Sequence, residues 1–369
     1  MGNKIRLHSQ QVLIIKNSQN QKKMQIKWKL KVVKLNILVT GGAGYIGSHT
    51  VRRLQQEGQN TVTVFDNLST GHRKAAGETN FILGDLTDQA LLTEVLNKEK
   101  IDCVMHFAAK SLVGESLVRP RDYYINNVLG TLSLLNSMLA CNIRKLVFSS
   151  TAAIYGEPSK IPVTEEEPKN PTSVYGRTKL VIENILHDYS RAYDFSFISL
   201  RYFNAAGADE SGDLGEDHEP ETHLIPLVMQ HILGIRDRVQ LYGIDYPTKD
   251  GTCIRDFVHV NDLADAHLLS LGVLAQQGKS KVYNLGNGNG FSVKEVINSI
   301  QKITEKKVNV EIAPKRSGDP AALIASSEKI KNELGWFPRY TSLDDIVRTA
   351  WNWHKRNPGG YRDDFKSGK

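Results

Sequence analysis

Cysteine is scarce in this chain. The three present in 369 residues, Cys103, Cys141 and Cys253, stand far apart and share no motif. A disulfide framework is therefore excluded, and buried thiols in a reducing compartment, the cytoplasm, are expected. No His/Cys cluster has metal-ligand spacing, so no metal is expected. No apolar run approaches the roughly twenty residues of a membrane span, and no secretory or transit signal opens the chain. Acid is missing from residues 1–35, which hold nine Lys or Arg. The net charge of +7 belongs to that stretch, because the remaining body carries 38 basic against 40 acidic residues. Such a body lacks the footprint of a nucleic-acid binder. The basic stretch reads as a poorly ordered extension, although a Lys-rich arm can also touch nucleic acid or a membrane surface. The globular pattern starts abruptly at Leu35-Asn36, as if residues 1–34 lay upstream of the working start.

What is there begins with Leu35 to Gly47, LNILVTGGAGYIG. Asn36 to Thr40 read as a short buried strand, and the glycines turn the chain into a helix that starts near Tyr45. Gly42, Gly44 and Gly47 satisfy G-x-G-x-x-G, while Gly41, Gly44 and Gly47 satisfy G-x-x-G-x-x-G. Side chains there would block the approach of backbone N–H groups to a pyrophosphate. The helix N-terminus adds free N–H groups and partial positive charge for the same anion. Thr61 to Phe65 alternate as the next strand and end at Asp66. A carboxylate there can accept hydrogen bonds from both hydroxyls of an adenine ribose and repels a 2′-phosphate, which favours NAD over NADP. An ordinary cap at Asp66 is the competing reading.

Strand and helix patterns then alternate. Strands are expected at 80–83, 102–107, 145–150 and 196–202, with helices near 45–57, 88–98, 122–141 and 174–192. Short apolar strands separated by helices imply an α/β fold, a Rossmann-type doubly wound parallel sheet covered on both faces. Ligands of such sheets bind beyond the carboxyl ends of the strands. Asp85, in Gly84-Asp85-Leu86, could reach an adenine amino group from there. The small residues of His106-Phe-Ala-Ala109 let the backbone press against a cofactor. Residues 205–221, rich in Gly, Asp and Glu, read as a loop. Ser292-Val-Lys-Glu295 is a capping box that opens a helix to about Ile303, and Gly335 stops another. The expected division is a basic stretch over 1–35, a dinucleotide domain over 36–207 and a smaller substrate-binding lobe over 208–365, with 256–262 possible as a return to the first domain.

Tyr175-Gly-Arg-Thr-Lys179 is a Tyr-x-x-x-Lys, which on a helix points phenol and ammonium into one volume. A nearby ammonium and a positive nicotinamide ring would favour the phenolate. Three pKa units of such lowering correspond to roughly 4 kcal/mol. Tyr175 would then suit proton removal from a sugar hydroxyl as hydride leaves the same carbon. Thr151, at a strand's carboxyl end, can bridge substrate oxygen and phenol. The expected catalytic set is Thr151, Tyr175 and Lys179.

With these residues in view, the chain from Asn36 to about Tyr361 resembles the UDP-glucose 4-epimerases of the extended short-chain dehydrogenase/reductase family. Thr40 to His49, Val113-Gly-Glu-Ser116, Tyr123 to Asn127, Tyr202-Phe-Asn204, Asp245 to Thr252, Arg255 to His259 and Tyr283 to Gly286 carry the likeness in the family's order. The resemblance implies a tightly held NAD and interconversion of UDP-galactose and UDP-glucose. Oxidation at C4 is followed by a turn of the 4-keto sugar and re-reduction on its other face. Tyr45, Ile46, Asp66, Asn67, Leu68, Ser69, Thr70, Gly71, Asp85, Leu86, Phe107, Ala108, Ala109, Lys110, Ser111, Asn126 and Phe203 correspond to cofactor contacts, beside Gly41, Gly44, Gly47, Tyr175 and Lys179. Thr151, Tyr175, Asn204, His223, Leu224, Arg255, Arg316, Asp319 and Leu323 correspond to substrate contacts, with Gln240, Leu241 and Tyr242 along the uracil. A homodimer built on the helices near 122–141 and 174–192 is also implied.

The chain departs from that pattern in three places. His223 stands where many relatives have Asn, and Ser111 where a Lys often contacts cofactor. Leu323 replaces a Tyr of some relatives near the hexose 2-substituent, which leaves room for N-acetylated sugars. The rival within the fold, a nucleotide-sugar 4,6-dehydratase, needs an acid and a base directly after the Thr, where this chain has Ala152 and Ala153. A non-catalytic NAD-responsive binding protein is opposed by the complete Thr151, Tyr175 and Lys179.

Overall fold

The computed structural model describes residues 34–277, 279–316 and 319–361, so the basic stretch up to Val33 and residues 362–365 lie outside the described residues. Thirteen strands occur among them. The first six are β1 (Asn36–Thr40), β2 (Thr61–Asp66), β3 (Asn80–Leu83), β4 (Cys103–His106), β5 (Lys145–Thr151) and β6 (Ser196–Tyr202). Then come β7 (Asn204–Ala206), β8 (Val239–Tyr242), β9 (Ile254–His259), β10 (Lys281–Leu285), β11 (Gly290–Ser292), β12 (Val310–Ala313) and β13 (Ala322–Leu323). Seven form one parallel sheet in the order β10-β6-β5-β4-β1-β2-β3.

Period-two alternation assigns the two faces of this sheet. Ile37 and Val39 enter one core with Val51 and Leu54 of the helix Tyr45–Glu57 and with Leu263 of the helix Val260–Gln277. Leu38 enters the opposite core with Leu92, Leu134 and Ile182, from the helices Gln89–Lys98, Gly130–Ala140 and Val174–Ala192. Asp88 and Ser173 cap two of these, accepting from the N–H groups of Leu91 and Gly176 at 3.0 Å each. The helical stretch read at 122–141 is interrupted: Pro120–Tyr123, a π-helical turn at Tyr124–Leu129, then Gly130–Ala140. The chain runs outward from β1 to β3 and then crosses back to β4, so the order reverses between β1 and β4, where such sheets bind ligands.

After Tyr202 a smaller assembly builds on β9, which pairs with β7, β11 and β13. Its own core joins Val228 and Met229 with Ile297, Ile300, Ile346 and Val347. Ser292 and Glu295 form the expected capping box, and Gly335, at φ 69°, ends the helix Glu328–Leu334. Of the stretch 256–262, residues 256–259 stay in β9 of the smaller sheet, and the return to the large sheet begins at Val260 and runs on through β10. The helix Val260–Gln277 packs on the first helix, and β10 supplies the edge strand beside β6.

Four buried imidazoles make the fold acid-sensitive. Burial lowers His49 and His267 to about 4, and His106 and His259 to about 3. In the unfolded chain each takes a proton near its ordinary 6.5, so their stability is complete above that value and is lost as pH falls. Asp256 and Asp262, lifted by burial to about 6, act in the opposite sense below 6. Four groups outweigh two, so these six should make unfolding take up protons near pH 5. Melting temperature measured against pH should fall through that range, and a rise would contradict the assignment.

Candidate active site

At the β1/β4 reversal the glycine turn is pressed against the backbone after β4. A Cβ on Gly41, whose φ is 73°, would meet the Ala108 nitrogen at 2.4 Å, and one on Gly47 would meet the Gly41 carbonyl at 2.2 Å. Gly44 caps the helix Tyr45–Glu57 without a side chain, and no acid occupies the first turn. That leaves backbone N–H groups and partial positive charge beside a cavity of about 400 Å³. Asp66 lines it and is buried. Its two oxygens accept from the N–H groups of Ala43 at 3.0 Å and Leu68 at 2.8 Å, which fixes the carboxylate and leaves further lone pairs. Burial raises its pKa, while those N–H groups oppose the rise. Asp85 goes the other way. Burial alone would raise it, but hydrogen bonds from Thr87 and Asn67 outweigh burial and hold it low.

The other predicted residues approach the same cavity from successive strand ends. Phe107 to Ser111 follow β4, and the backbone of Lys110 is gripped on both sides by buried Asn127 at 2.8 and 3.0 Å. Asn126 donates to Asn127 Oδ1 at 2.9 Å. Thr151 ends β5, with Ala152 and Ala153 beside it on the cavity wall. Tyr175 and Lys179 face inward from one side of the helix Val174–Ala192, and Phe203, Asn204, His223, Arg255 and Leu323 close the far side.

Burial and hydrogen bonding act on the phenol in opposite senses. The chain's own charges do not lower Tyr175: burial raises it, and the Thr151 hydroxyl offsets this only in part. Lys179 is itself lowered by burial to about 7, although Glu183 partly restores it. Its Nζ donates to the Ser149 carbonyl at 2.8 Å and lies 4.8 Å from the centre of the Phe148 ring.

Seven predicted residues lie off the cavity wall. Leu68, at φ 56°, packs against the large core. Leu224 opens the helix Leu224–Ile232, and the Leu241 side chain is buried in the smaller core, so only its backbone could touch a ligand. Gln240, Tyr242 and Arg316 form an outer patch: Tyr242 donates to Gln240, and the Arg316 guanidinium stacks 3.9 Å from the Tyr242 ring centre. Asp319 holds Arg255 Nη2 at 2.5 Å, while Arg255 Nη1 bonds two carbonyls, so this guanidinium is oriented in advance.

Sequence reasoning missed Glu216 and His218, which also line the cavity. It counted only His and Cys as a metal-ligand signal, whereas Glu216-x-His218-x-x-Glu221-x-His223 interleaves Glu and His. Burial alone would lower both imidazoles, but the two carboxylates raise His223 to about 10 and His218 to about 9.

Residues 37–286 match the NAD dependent epimerase/dehydratase family. The chain belongs to this family. It is 55% identical over 330 residues to a protein of Halalkalibacterium halodurans named UDP-glucose 4-epimerase, covering 89% of this chain and 98% of that one. The crystal structure of UDP-glucose 4-epimerase from Brucella ovis in complex with NAD superposes with a TM-score of 0.84 at 48% identity, covering 86% and 97% of the two chains. That of UDP-glucose 4-epimerase from Bifidobacterium longum in complex with NAD+ and UDP gives 0.83 at 40% identity, covering 88% and 100%. Within this NAD dependent family the cradle without Cβ atoms and the carboxylate ending β2 fit a dinucleotide.

Proposed function

We propose that this protein interconverts UDP-galactose and UDP-glucose by oxidation at C4, rotation of the 4-keto sugar and re-reduction on its opposite face. The observation that carries the reading is that Thr151, Tyr175 and Lys179 share one cavity with the glycine turn and Asp66. Gly41, Gly44, Gly47, Asp66 and Asn126 hold NAD, which when bound supplies reversible hydride transfer and a positively charged ring. That positive charge is what the buried phenol needs beyond Lys179. Tyr175 then takes the proton of the 4-hydroxyl, Thr151 orients the substrate oxygen, and Lys179 steadies the phenolate. The lobe built on β9 holds UDP: Asn204, His223 and Arg255 at the diphosphate, the Gln240–Tyr242–Arg316 patch at uracil and ribose. Binding energy placed on the nucleotide leaves the hexose free to turn.

Purified protein given UDP-galactose without added reductant should form UDP-glucose and release NAD on denaturation. Absence of both bound dinucleotide and turnover would defeat the reading, and a deoxy-keto product would favour the dehydratase. Ala152 and Ala153, on the cavity wall, can transfer no proton.

Leu323 is half-buried on the same wall. UDP-GalNAc should therefore also exchange, and Leu323→Tyr should suppress that exchange more than UDP-galactose turnover. No exchange of UDP-GalNAc by the wild type would remove this part.

The assembly is a cytoplasmic homodimer in this reading. Leu117, Val118 and Leu129 are 56%, 78% and 49% exposed on the helices leading into Gly130–Ala140, an apolar surface suited to a symmetry mate. Light scattering at the mass of one chain would exclude it. Among the described residues no helix is long and apolar enough to cross a membrane. Cys103, Cys141 and Cys253 are free thiols.

A further inference from the structure

The proposed reaction uses His223 and leaves Glu216, His218 and Glu221 without a task. Their ligand atoms and that of His223 all lie within 4.8 Å of one another. His223 Nδ1 is 2.8 Å from Glu216 Oε1 and 3.3 Å from Glu221 Oε1. His218 Nδ1 is 3.3 Å from Glu216 Oε1 and 3.7 Å from Glu221 Oε2. Two observations set this apart from an ordinary solvated cluster. The Glu216 and Glu221 side chains are only 6% and 2% exposed, so two like charges face each other out of water and require positive charge between them. His218 Nδ1 is fully enclosed and faces both carboxylates, 3.3 Å from Glu216 and 3.7 Å from Glu221. Once it gives up its proton, a ring nitrogen so placed directs its lone pair at a shared centre.

We propose that Glu216, His218, Glu221 and His223 bind one zinc ion, which fastens the 207–223 loop along the cavity wall. Ligands at about 2.0–2.2 Å from a tetrahedral zinc stand about 3.4 Å apart. The four imidazole–carboxylate separations, 2.8, 3.3, 3.3 and 3.7 Å, straddle that value, and all the ligand atoms lie within 4.8 Å of one another. Two imidazoles with two carboxylates suit a borderline cation, whereas calcium and magnesium take oxygen ligands alone. The outer contacts are those of a braced site. Glu221 Oε1 accepts from the N–H groups of Thr222 and His223 at 2.7 and 2.8 Å, which fixes the carboxylate beside the two imidazoles. The Glu216 carbonyl accepts from Trp353 Nε1 at 3.1 Å, and Tyr45 packs its edge against His218 at 6.2 Å. Tyr45 also ties the start of the loop, donating to the Gly207 carbonyl at 2.6 Å.

The competing source of charge is the proton, since two imidazolium groups would satisfy the same carboxylates. Full-length protein stripped by a chelator and titrated with zinc chloride in a calorimeter should take up one equivalent per chain. Cobalt should give the intense visible band of a tetrahedral site, without a thiolate charge-transfer band, and zinc should displace it. His218→Ala and Glu221→Gln should each weaken zinc at least tenfold, and zinc should raise the melting temperature of the wild type but of neither variant. Zinc uptake equal in wild type and variants, no uptake, or an octahedral or thiolate cobalt spectrum would overturn the proposal and leave the protons as counter-charge. The wild-type cobalt spectrum decides even where a variant fails to fold, and no readout depends on the proposed reaction.

Discussion

Tyr175→Phe should keep its dinucleotide and lose about a thousandfold in turnover of UDP-galactose, the middle of the range for removing a positioned general base. The ring of Tyr175 stays in place on the helix Val174–Ala192, so the cavity keeps its shape and the glycine cradle is untouched. Only the oxygen that meets the Thr151 hydroxyl and the substrate proton is gone. Lys179 does not stand ready to replace it, because its Nζ is tied as a donor to the Ser149 carbonyl at 2.8 Å. The measurement is kcat beside the NAD released on denaturation. Turnover near wild type would take the base role from Tyr175, and loss of NAD with loss of turnover would make it a cofactor-binding residue instead.

How far the site could be seen beforehand depends on how local each signal is. The glycine turn, Asp66 and the Tyr175/Lys179 pair are written within a strand-turn-helix or one helical turn, so spacing alone places them on the wall that the structure shows. Ser292 and Glu295 are legible for the same reason. What could not be read depends on meetings between distant segments. The edge strand β10 joins β6 only because the helix Val260–Gln277 carries the chain back over the first helix. The π-helical turn at Tyr124–Leu129 is a change of winding that side-chain periodicity does not encode. The burial that raises the Tyr175 phenol is invisible in the sequence, which names only the neighbouring charge. Glu216 and His218 reach the cavity through a loop whose path no periodic pattern sets.

The same blindness hides the polar pair beneath the helix Val174–Ala192. Glu183, one turn after Lys179, accepts from Arg201 Nη2 at 2.5 Å and Nε at 2.9 Å, Ser150 Oγ at 2.6 Å and Ser199 Oγ at 3.0 Å. Both side chains are 2% exposed. Burial alone would raise Glu183, but Arg201 and the hydroxyls outweigh it and hold the carboxylate low, so it is charged at neutral pH. Glu183→Ala leaves the guanidinium buried with the Tyr155 hydroxyl at 2.8 Å as a neutral partner, which cannot balance it. Breaking a buried pair in this way costs about 3–5 kcal/mol, a large part of the roughly 5–15 kcal/mol that holds a domain together. The melting temperature should fall by roughly 10 °C, and exchanging both partners for well-packed apolar residues should recover most of it. The change should also reach the chemistry. Glu183 is the charge that raises Lys179 against its burial, so removing it should lower the ammonium further and move the alkaline limb of the kcat profile to lower pH. A variant that melts early with an unmoved pH profile would confine Glu183 to holding the β5/β6 core. A shift in both would show that the buried pair sets the charge beside the phenol as well as the fold beneath it.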